Sequence, residues 1–233
     1  MIRRKICLSA LAFLALPVCP RAAQRNYIDT YGPETIQEGH LGVETRNDYR
    51  SPNFGNDYFT DETTGEIGVT DRDTVGATAI FVEGQGFTAA RLENRYHLAK
   101  MDEWPIDTAV YVAFKDADGH KDRDAIESKL ILSKDVEQVN VTGNGILNLV
   151  RKIKANGNDE WDVKPGVAVA ASYKTGTIVT PGIELLIQEY QSRITPGVYV
   201  ALAPNMRLSA GLGIGVEHRA DNLQLKTLFQ VEF

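Results

Sequence analysis

The stretch LQLKTLFQVEF, from Leu223 to Phe233, decides the fold prediction because its residues alternate in polarity. One set is apolar or aromatic apart from a single threonine: Leu223, Leu225, Thr227, Phe229, Val231 and Phe233. The intervening set is mostly polar: Gln224, Lys226, Leu228, Gln230 and Glu232. Alternation with a period of two predicts a β-strand with one apolar and one polar face.

The same alternation recurs through the chain and predicts about 12 strands between residues 36 and 233. The first predicted strand runs from Ile36 to Arg46, and residues 47–61, rich in Asn and Asp, are expected to form the longest loop. The connections between successive predicted strands fall into two alternating sets. One set is mostly short, and the other is more variable in length. Several strands, such as that from Arg207 to Glu217, place glycine and serine on one face and leucine, isoleucine and valine on the other.

The first 23 residues predict a secretory signal peptide. Arg3, Arg4 and Lys5 precede an apolar run, Ile6–Val18, and small residues follow at 22–23. Both cysteines, Cys7 and Cys19, lie in this segment, so the mature chain is expected to lack disulfides and thiolate ligands.

The charge balance argues against a nucleic-acid partner. The chain has 25 Lys and Arg against 31 Asp and Glu, and the signal peptide holds four of the basic residues and none of the acidic ones. The mature chain would therefore carry 21 basic and 31 acidic side chains, a formal charge of −10. Nucleic-acid binding requires clustered positive charge.

The alternating apolar residues that end on Phe233 resemble the C-terminal recognition signal of bacterial outer-membrane β-barrels. The resemblance covers essentially the whole mature chain and is specific to the class. It implies an all-β fold: a single transmembrane, antiparallel, up-and-down β-barrel of about 12 strands at residues 36–233, after a periplasmic N-terminal tail at residues 24–35. It also implies a Gram-negative outer membrane, with both chain ends in the periplasm.

In such a barrel the apolar faces contact lipid and the polar faces line the lumen. The alternative is a soluble β-sandwich or soluble barrel, whose apolar faces would form a core. The export signal, the terminal aromatic and the alternating connections favour the membrane barrel. The partners implied by the resemblance are outer-membrane lipid, lipopolysaccharide and the barrel assembly machinery. The assembly machinery would recognise Phe229, Val231 and Phe233.

The predicted lumen is rich in charge of both signs. One interpretation is a constriction that selects small solutes or ions, and the other is a set of ion pairs that brace a narrow barrel. Because the signs are mixed, neither an anion nor a cation preference follows. The candidates are Arg91, Glu93, Arg95, His97, Glu127, Lys129, Glu184 and Lys226.

No catalytic or metal site is indicated by the sequence. The H-x-S-N motif of outer-membrane lipid-acting enzymes is absent, and the spacing of His40, His97, His120 and His218 matches no metal site. We therefore expect neither enzyme activity nor a cofactor. Acidic residues in or beside the predicted outer loops are a solvated face or bind divalent ions that bridge lipopolysaccharide; they include Asp57, Asp61, Glu62, Asp116, Asp118, Asp122 and Asp124.

The sequence thus favours a narrow, porin-like channel for small solutes, because small inward residues would leave space in the lumen. A structural or surface-interaction barrel with a plugged lumen is the second hypothesis. A lipid-acting enzyme is the third.

Removal of Phe233 is expected to impair assembly, since the terminal aromatic is the most distinctive part of the resemblance. The measurement is the amount of folded protein in the outer membrane. Normal membrane levels of the truncated chain would contradict this interpretation of the last strand.

Overall fold

A computed structural model describes residues 27–118, 123–153, 159–218 and 220–233. These residues form a closed, entirely antiparallel barrel in which each strand pairs with its neighbours in chain order. Within these ranges no helix is long and apolar enough to cross a bilayer. The predicted signal peptide lies outside the described residues. The strands are β1 (Leu41–Ser51), β2 (Tyr58–Thr70), β3 (Asp73–Val82), β4 (Gly86–Ala99), β5 (Asp107–Ala117), β6 (Ala125–Val136), β7 (Val139–Ile153), β8 (Asp159–Tyr173), β9 (Val179–Gln188), β10 (Arg193–Ala203), β11 (Met206–Gly215) and β12 (Leu223–Glu232).

The barrel closes where the last strand pairs with the first. The register of β1 and β12 runs from Gly42 opposite Glu232 to Ser51 opposite Leu223. The backbone N–H of Phe233 donates to the carbonyl of Leu41 at 2.8 Å, which extends the pairing past the end of β12. Closure leaves no strand edge, so the backbone groups of the wall are hydrogen-bonded within it.

The two faces of the wall are divided as the alternation predicts. Large apolar side chains such as Leu92, with 62% of its surface exposed, point outward, and polar side chains such as Thr64 and Asn144 are buried inside. The predicted all-β, up-and-down barrel is therefore confirmed, as is the predicted count of about 12 strands. A soluble barrel would have its apolar face inside, which is the reverse of the arrangement found.

The start of the barrel differs from the prediction. The first strand is Leu41–Ser51, not Ile36–Arg46, and the loop predicted at residues 47–61 is only residues 52–57. Two of the polar residues predicted in this loop belong to the inward face of β1, where Asp48 is buried and Arg50 is partly buried. A luminal face of charged residues and a solvated loop have similar composition, so composition alone did not separate them.

The strand connections lie at two ends of the barrel. The terminal end holds Leu41, Phe233 and the turns at 71–72, 100–106, 137–138, 174–178 and 204–205. The loop end holds the connections at 52–57, 83–85 and 189–192, together with the strand ends at Ala117, Ala125, Gly215 and Leu223.

Replacing Leu92 by arginine is expected to destabilise the folded barrel by about 2–4 kcal/mol, because the side chain lies at the middle of β4 on the lipid face. Leu98→Arg is the matched control on the same face of the same strand, one residue from its end; near the interface the cost falls to about 0–1 kcal/mol. The measurement is denaturant unfolding in lipid vesicles. Equal losses for the two variants would contradict the assigned membrane position.

Candidate functional site

The lumen is occupied by residues 27–36, which we term the luminal segment. Its apolar side chains are almost completely buried: Tyr27 and Ile28 are 0% exposed, Ile36 is 2% exposed and Tyr31 is 3% exposed. This placement differs from the periplasmic tail expected at residues 24–35. The segment's aromatic and aliphatic residues are spaced irregularly between polar ones, a pattern that does not distinguish an external tail from a packed, irregular segment.

The luminal segment enters from the terminal end and turns back inside the barrel. Ile36 donates its N–H to the Thr74 hydroxyl, near the terminal end of β3. Asp29 reaches Arg193, the first residue of β10 after a connection at the loop end. Tyr27 then contacts Asn140, which lies beside the turn at 137–138. Asp29 is therefore the deepest point of the segment, measured from the terminal end.

Glu184 on β9 holds the deepest turn of the segment through its backbone. Its carboxylate accepts the N–H groups of three consecutive residues, Ile28, Asp29 and Thr30, at 2.7, 2.8 and 2.7 Å. The Tyr199 hydroxyl donates to the same carboxylate at 3.1 Å. Successive N–H groups that converge on one anion form a strong electrostatic site, so Glu184 fixes the conformation of this turn.

Asp29 forms the second anchor, through its side chain. Arg193 donates to both carboxylate oxygens at 2.9 Å, and the Lys226 ammonium lies 2.7 Å from Oδ1. The Thr195 hydroxyl donates to Oδ2 at 3.3 Å. Bidentate arginine–carboxylate pairs are among the strongest protein hydrogen bonds. The buried charges are compensated by one another, as the low exposure of this site requires.

Further contacts fix the backbone on either side of the turn. The Asn144 side chain accepts the N–H of Tyr31 at 2.7 Å and donates to its carbonyl at 2.9 Å. The Arg46 guanidinium donates to the carbonyl of Ile28 at 2.6 Å. The Tyr31 ring packs on the Tyr111 ring, with centroids 4.6 Å apart, and the Lys129 ammonium lies 3.4 Å from the Tyr31 centroid.

Inward glycines make room for the segment and for the residues that join it to β1. A Cβ added to Gly68 would lie 2.0 Å from the backbone oxygen of Gln37. At Gly42 it would lie 2.5 Å from Ile36 Cδ1, and at Gly211 it would lie 2.8 Å from Ile28 Cδ1. Small inward residues were expected to leave space for solutes. At these three positions the space is filled by the protein's own chain.

All eight predicted lumen residues point into the barrel, but at different depths. Arg91, Glu127, Lys129 and Lys226 line the cavity on the loop-end side of the segment, whereas Glu184 binds the segment itself. Several of them contact carboxylates that were not predicted in the lumen. Arg91 pairs with Glu62 at 3.1 Å, Arg95 with Glu66 at 3.2 Å and Lys226 with Asp48 at 3.3 Å, and His97 lies 3.3 Å from Asp107. Glu93 accepts hydrogen bonds from Arg91, which belongs to the same predicted set, and from Tyr111, both at 3.0 Å.

The predicted assembly signal lies on the outward face of β12 and at its end, at Phe229, Val231 and Phe233. The role of these residues in assembly stays a prediction.

The most important residues missed by the sequence analysis are Asp29 and Arg193. Arg193 was not among the predicted lumen residues, but it is the first residue of β10 and points into the barrel. Asp29 lies in a stretch without periodicity. A signal was available: Tyr27, Ile28 and Tyr31 are three large apolar residues in a segment expected to be a solvated tail.

A cavity of about 480 Å³, which we term the cup, lies on the loop-end side of the luminal segment, and Asp29 and Tyr31 of the segment line it. Its charged lining contains three more positive than negative side chains, although the whole chain has a net charge of −6. The mixed signs of the sequence-predicted set therefore conceal a positive excess on this side of the lumen. The lining charges are Arg46, Arg50, Arg91, Lys115, Lys129, Arg193 and Lys226, against Asp29, Asp48, Glu62 and Glu127.

Several of the described acidic residues that were expected at the outer loops are held by neighbouring groups of the protein. Glu62 points into the lumen and pairs with Arg91. At the loop end, the backbone N–H of Ala117 and the guanidinium of Arg151 lower the pKa of Asp124. Asp57 accepts a hydrogen bond from Tyr49, which lowers its pKa. Asp122 lies outside the described residues, and among those described no group of three or more His, Asp or Glu could hold a metal ion.

Gly68→Ala is expected to displace residues 36–40, because the new Cβ would overlap backbone atoms and not a flexible side chain. Gly65→Ala is the control in the same strand, since a Cβ there meets nothing within 4 Å. Hydrogen–deuterium exchange of peptides covering residues 27–40 should accelerate at least tenfold in Gly68→Ala alone, the factor that follows from losing about 1.4 kcal/mol of local stability. Unchanged exchange in Gly68→Ala would contradict the close packing of this segment.

Comparisons with known proteins support the fold. A scan against protein-family models finds no match, and no curated protein matches the sequence. Among solved structures, the fold is similar to that of the NanC porin, determined in a rhombohedral crystal form, with a TM-score of 0.59 and 12% identity over 82% of this chain and 98% of that one. It is also similar to the KdgM porin, with a TM-score of 0.55 and 10% identity over 82% of this chain and 98% of that one. Identities this low show the fold alone. The chain thus has the fold of a bacterial outer-membrane β-barrel, at the size of these two porins.

Proposed function

We propose that this barrel is a narrow channel for small solutes in the outer membrane, closed at rest by its own luminal segment. The terminal end would face the periplasm and the loop end the exterior, as short turns and longer loops are arranged in bacterial barrels. Outer-membrane lipid and lipopolysaccharide would surround the outward apolar face, and the barrel assembly machinery would insert the chain. The proposal assigns no enzymatic chemistry to the lumen.

The construction of the wall is the observation that carries this proposal. A barrel that is permanently filled can be packed by inward side chains of its own strands. Here the wall carries glycine at positions 42, 68 and 211, where the luminal segment or the residues after it pass. The wall therefore encloses a passage that a separate, non-strand segment closes.

The contacts of the segment are of a kind that can be exchanged. Backbone N–H groups, carbonyls and Asp29 are bound by polar side chains of the wall, and water or a polar solute can replace such contacts. Each hydrogen bond contributes about 0.5–1.5 kcal/mol net. The twelve hydrogen bonds described above would together keep the passage closed, and we expect the unmodified protein to open seldom.

The similarity to two solved porins supports the channel, because those proteins are named as porins. The competing function is a structural or surface-interaction barrel whose plug never leaves. Its supporting observation is the number of ion pairs that link the wall strands, including Arg95 with Glu66 and Lys129 with Glu127.

Deletion of residues 27–36 is expected to convert a mostly silent barrel into one with long-lived, salt-dependent conductance steps. The reason is that the deletion removes the side chains that fill the lumen and leaves β1 to β12 unchanged. The measurement is single-channel recording in planar bilayers. A difference in electrophoretic migration between unheated and heated samples would first establish that each protein is folded.

The matched control is Gly65→Ala, which lies on the lipid side of β2 and should keep the closed behaviour of the unmodified chain. A folded deletion variant that shows no conductance would contradict the channel and support the permanently plugged barrel.

A further inference from the structure

The carboxylate of Asp29 occupies a binding site that is formed by the wall. The two cations that hold it belong to different strands, Arg193 to β10 and Lys226 to β12. Both are deeply buried, with side-chain exposures of 9% and 1%. Two cations and the Thr195 hydroxyl converge on one carboxylate, and all three donors belong to strands of the wall.

The same cations are part of the lining of the cup. Arg193, Lys226 and Asp29 all border the cavity of about 480 Å³. A solute that enters from the loop end therefore reaches the place where Asp29 is bound. The positive excess of the cup favours an anion there, because clefts lined by one sign of charge concentrate the opposite sign.

Release of Asp29 without a replacement is unfavourable. Lys226 would keep Asp48, 3.3 Å away, as a partner, and Asp48 also contacts Arg50 at 3.4 Å. Arg193 would keep only a hydrogen bond of 3.4 Å to the Gln191 carbonyl among its described contacts. A buried cation that loses its carboxylate is strongly destabilised, so the segment is held until another anion takes that place.

We propose that Arg193, Lys226 and Thr195 form a site for the carboxylate of a small anionic solute, and that Asp29 is an internal competitor for this site. Binding of the solute from the loop end displaces Asp29, which weakens the hold on the luminal segment and opens the passage. By linkage, a solute that favours the released segment must bind more tightly once the segment is released. The inference rests on the proposed channel function.

The test compares two probes that differ chiefly in one carboxylate: gluconate and its uncharged counterpart sorbitol. In planar bilayers, gluconate on the loop-end side should raise the open fraction of the unmodified full-length protein, and sorbitol at the same concentration should not. Asp29→Asn removes the competitor's charge and leaves the wall intact. The Asp29→Asn variant should open more often without any solute. It should also respond at a gluconate concentration about tenfold lower, because gluconate no longer has to displace a carboxylate from the site.

Arg193→Gln removes the proposed carboxylate partner and should abolish the response to gluconate while raising the basal open fraction. Arg72→Gln, in an exposed turn at the terminal end where Arg72 pairs with Glu103, removes the same charge elsewhere and should respond as the unmodified protein does. Equal effects of gluconate and sorbitol on the unmodified protein, or a full gluconate response in Arg193→Gln, would overturn the inference.

A second measurement separates this inference from the channel itself. In detergent micelles, gluconate should accelerate hydrogen–deuterium exchange of residues 27–36, and sorbitol should leave it unchanged. If the deletion of residues 27–36 conducts but gluconate changes neither exchange nor opening, the channel stands and the carboxylate site is refuted. If the deletion is silent and gluconate still accelerates exchange, the site stands and the channel is refuted.

Discussion

The requirement that a wall in lipid leave no backbone group unpaired governs this structure. It is met where β12 pairs with β1 along ten residues, from Gly42 with Glu232 to Ser51 with Leu223. Once twelve strands are closed in this way, the interior width is set, and most of the large apolar side chains of the wall face outward. Whatever fills the interior must then satisfy an inward face that is rich in charge and hydroxyl groups.

The luminal segment satisfies that face with its backbone as much as with its side chains. Glu184 is buried against three N–H groups, and Asn144 bonds both polar groups of Tyr31. An irregular segment inside a barrel has no partner strand for its N–H and C=O groups, and buried groups of this kind must be paired. The polar side chains of the wall supply this pairing, which explains why a lumen that reads as hydrophilic can be occupied by peptide.

The electrostatics of the interior are divided by the segment. On the terminal-end side, Arg95 and His97 pair with Glu66 and Asp107. On the loop-end side, Asp29 pairs with Arg193 and Lys226, two cations of the basic lining of the cup. In the proposed mechanism, the carboxylate of Asp29 and the carboxylate of the solute bind the same two cations. Closure of the passage and binding of the solute therefore exclude each other. The dynamics of the segment, rather than the width of the wall, would then set when the passage opens.

The sequence by itself determined the wall. The alternation in stretches such as Leu223–Phe233 depends only on neighbours two positions apart, so the all-β barrel and its count of about 12 strands could be predicted. The closure of the lumen was decided only by the tertiary structure. Asp29, Glu184 and Lys226 are separated by up to 197 residues, and no local pattern indicates that they meet. Likewise, the glycine at position 68 reads as free space until the chain at Gln37 is seen to pass over it. Periodicity indicates which face of the wall a residue lies on. Whether another part of the chain covers that face depends on contacts that form only in the closed barrel.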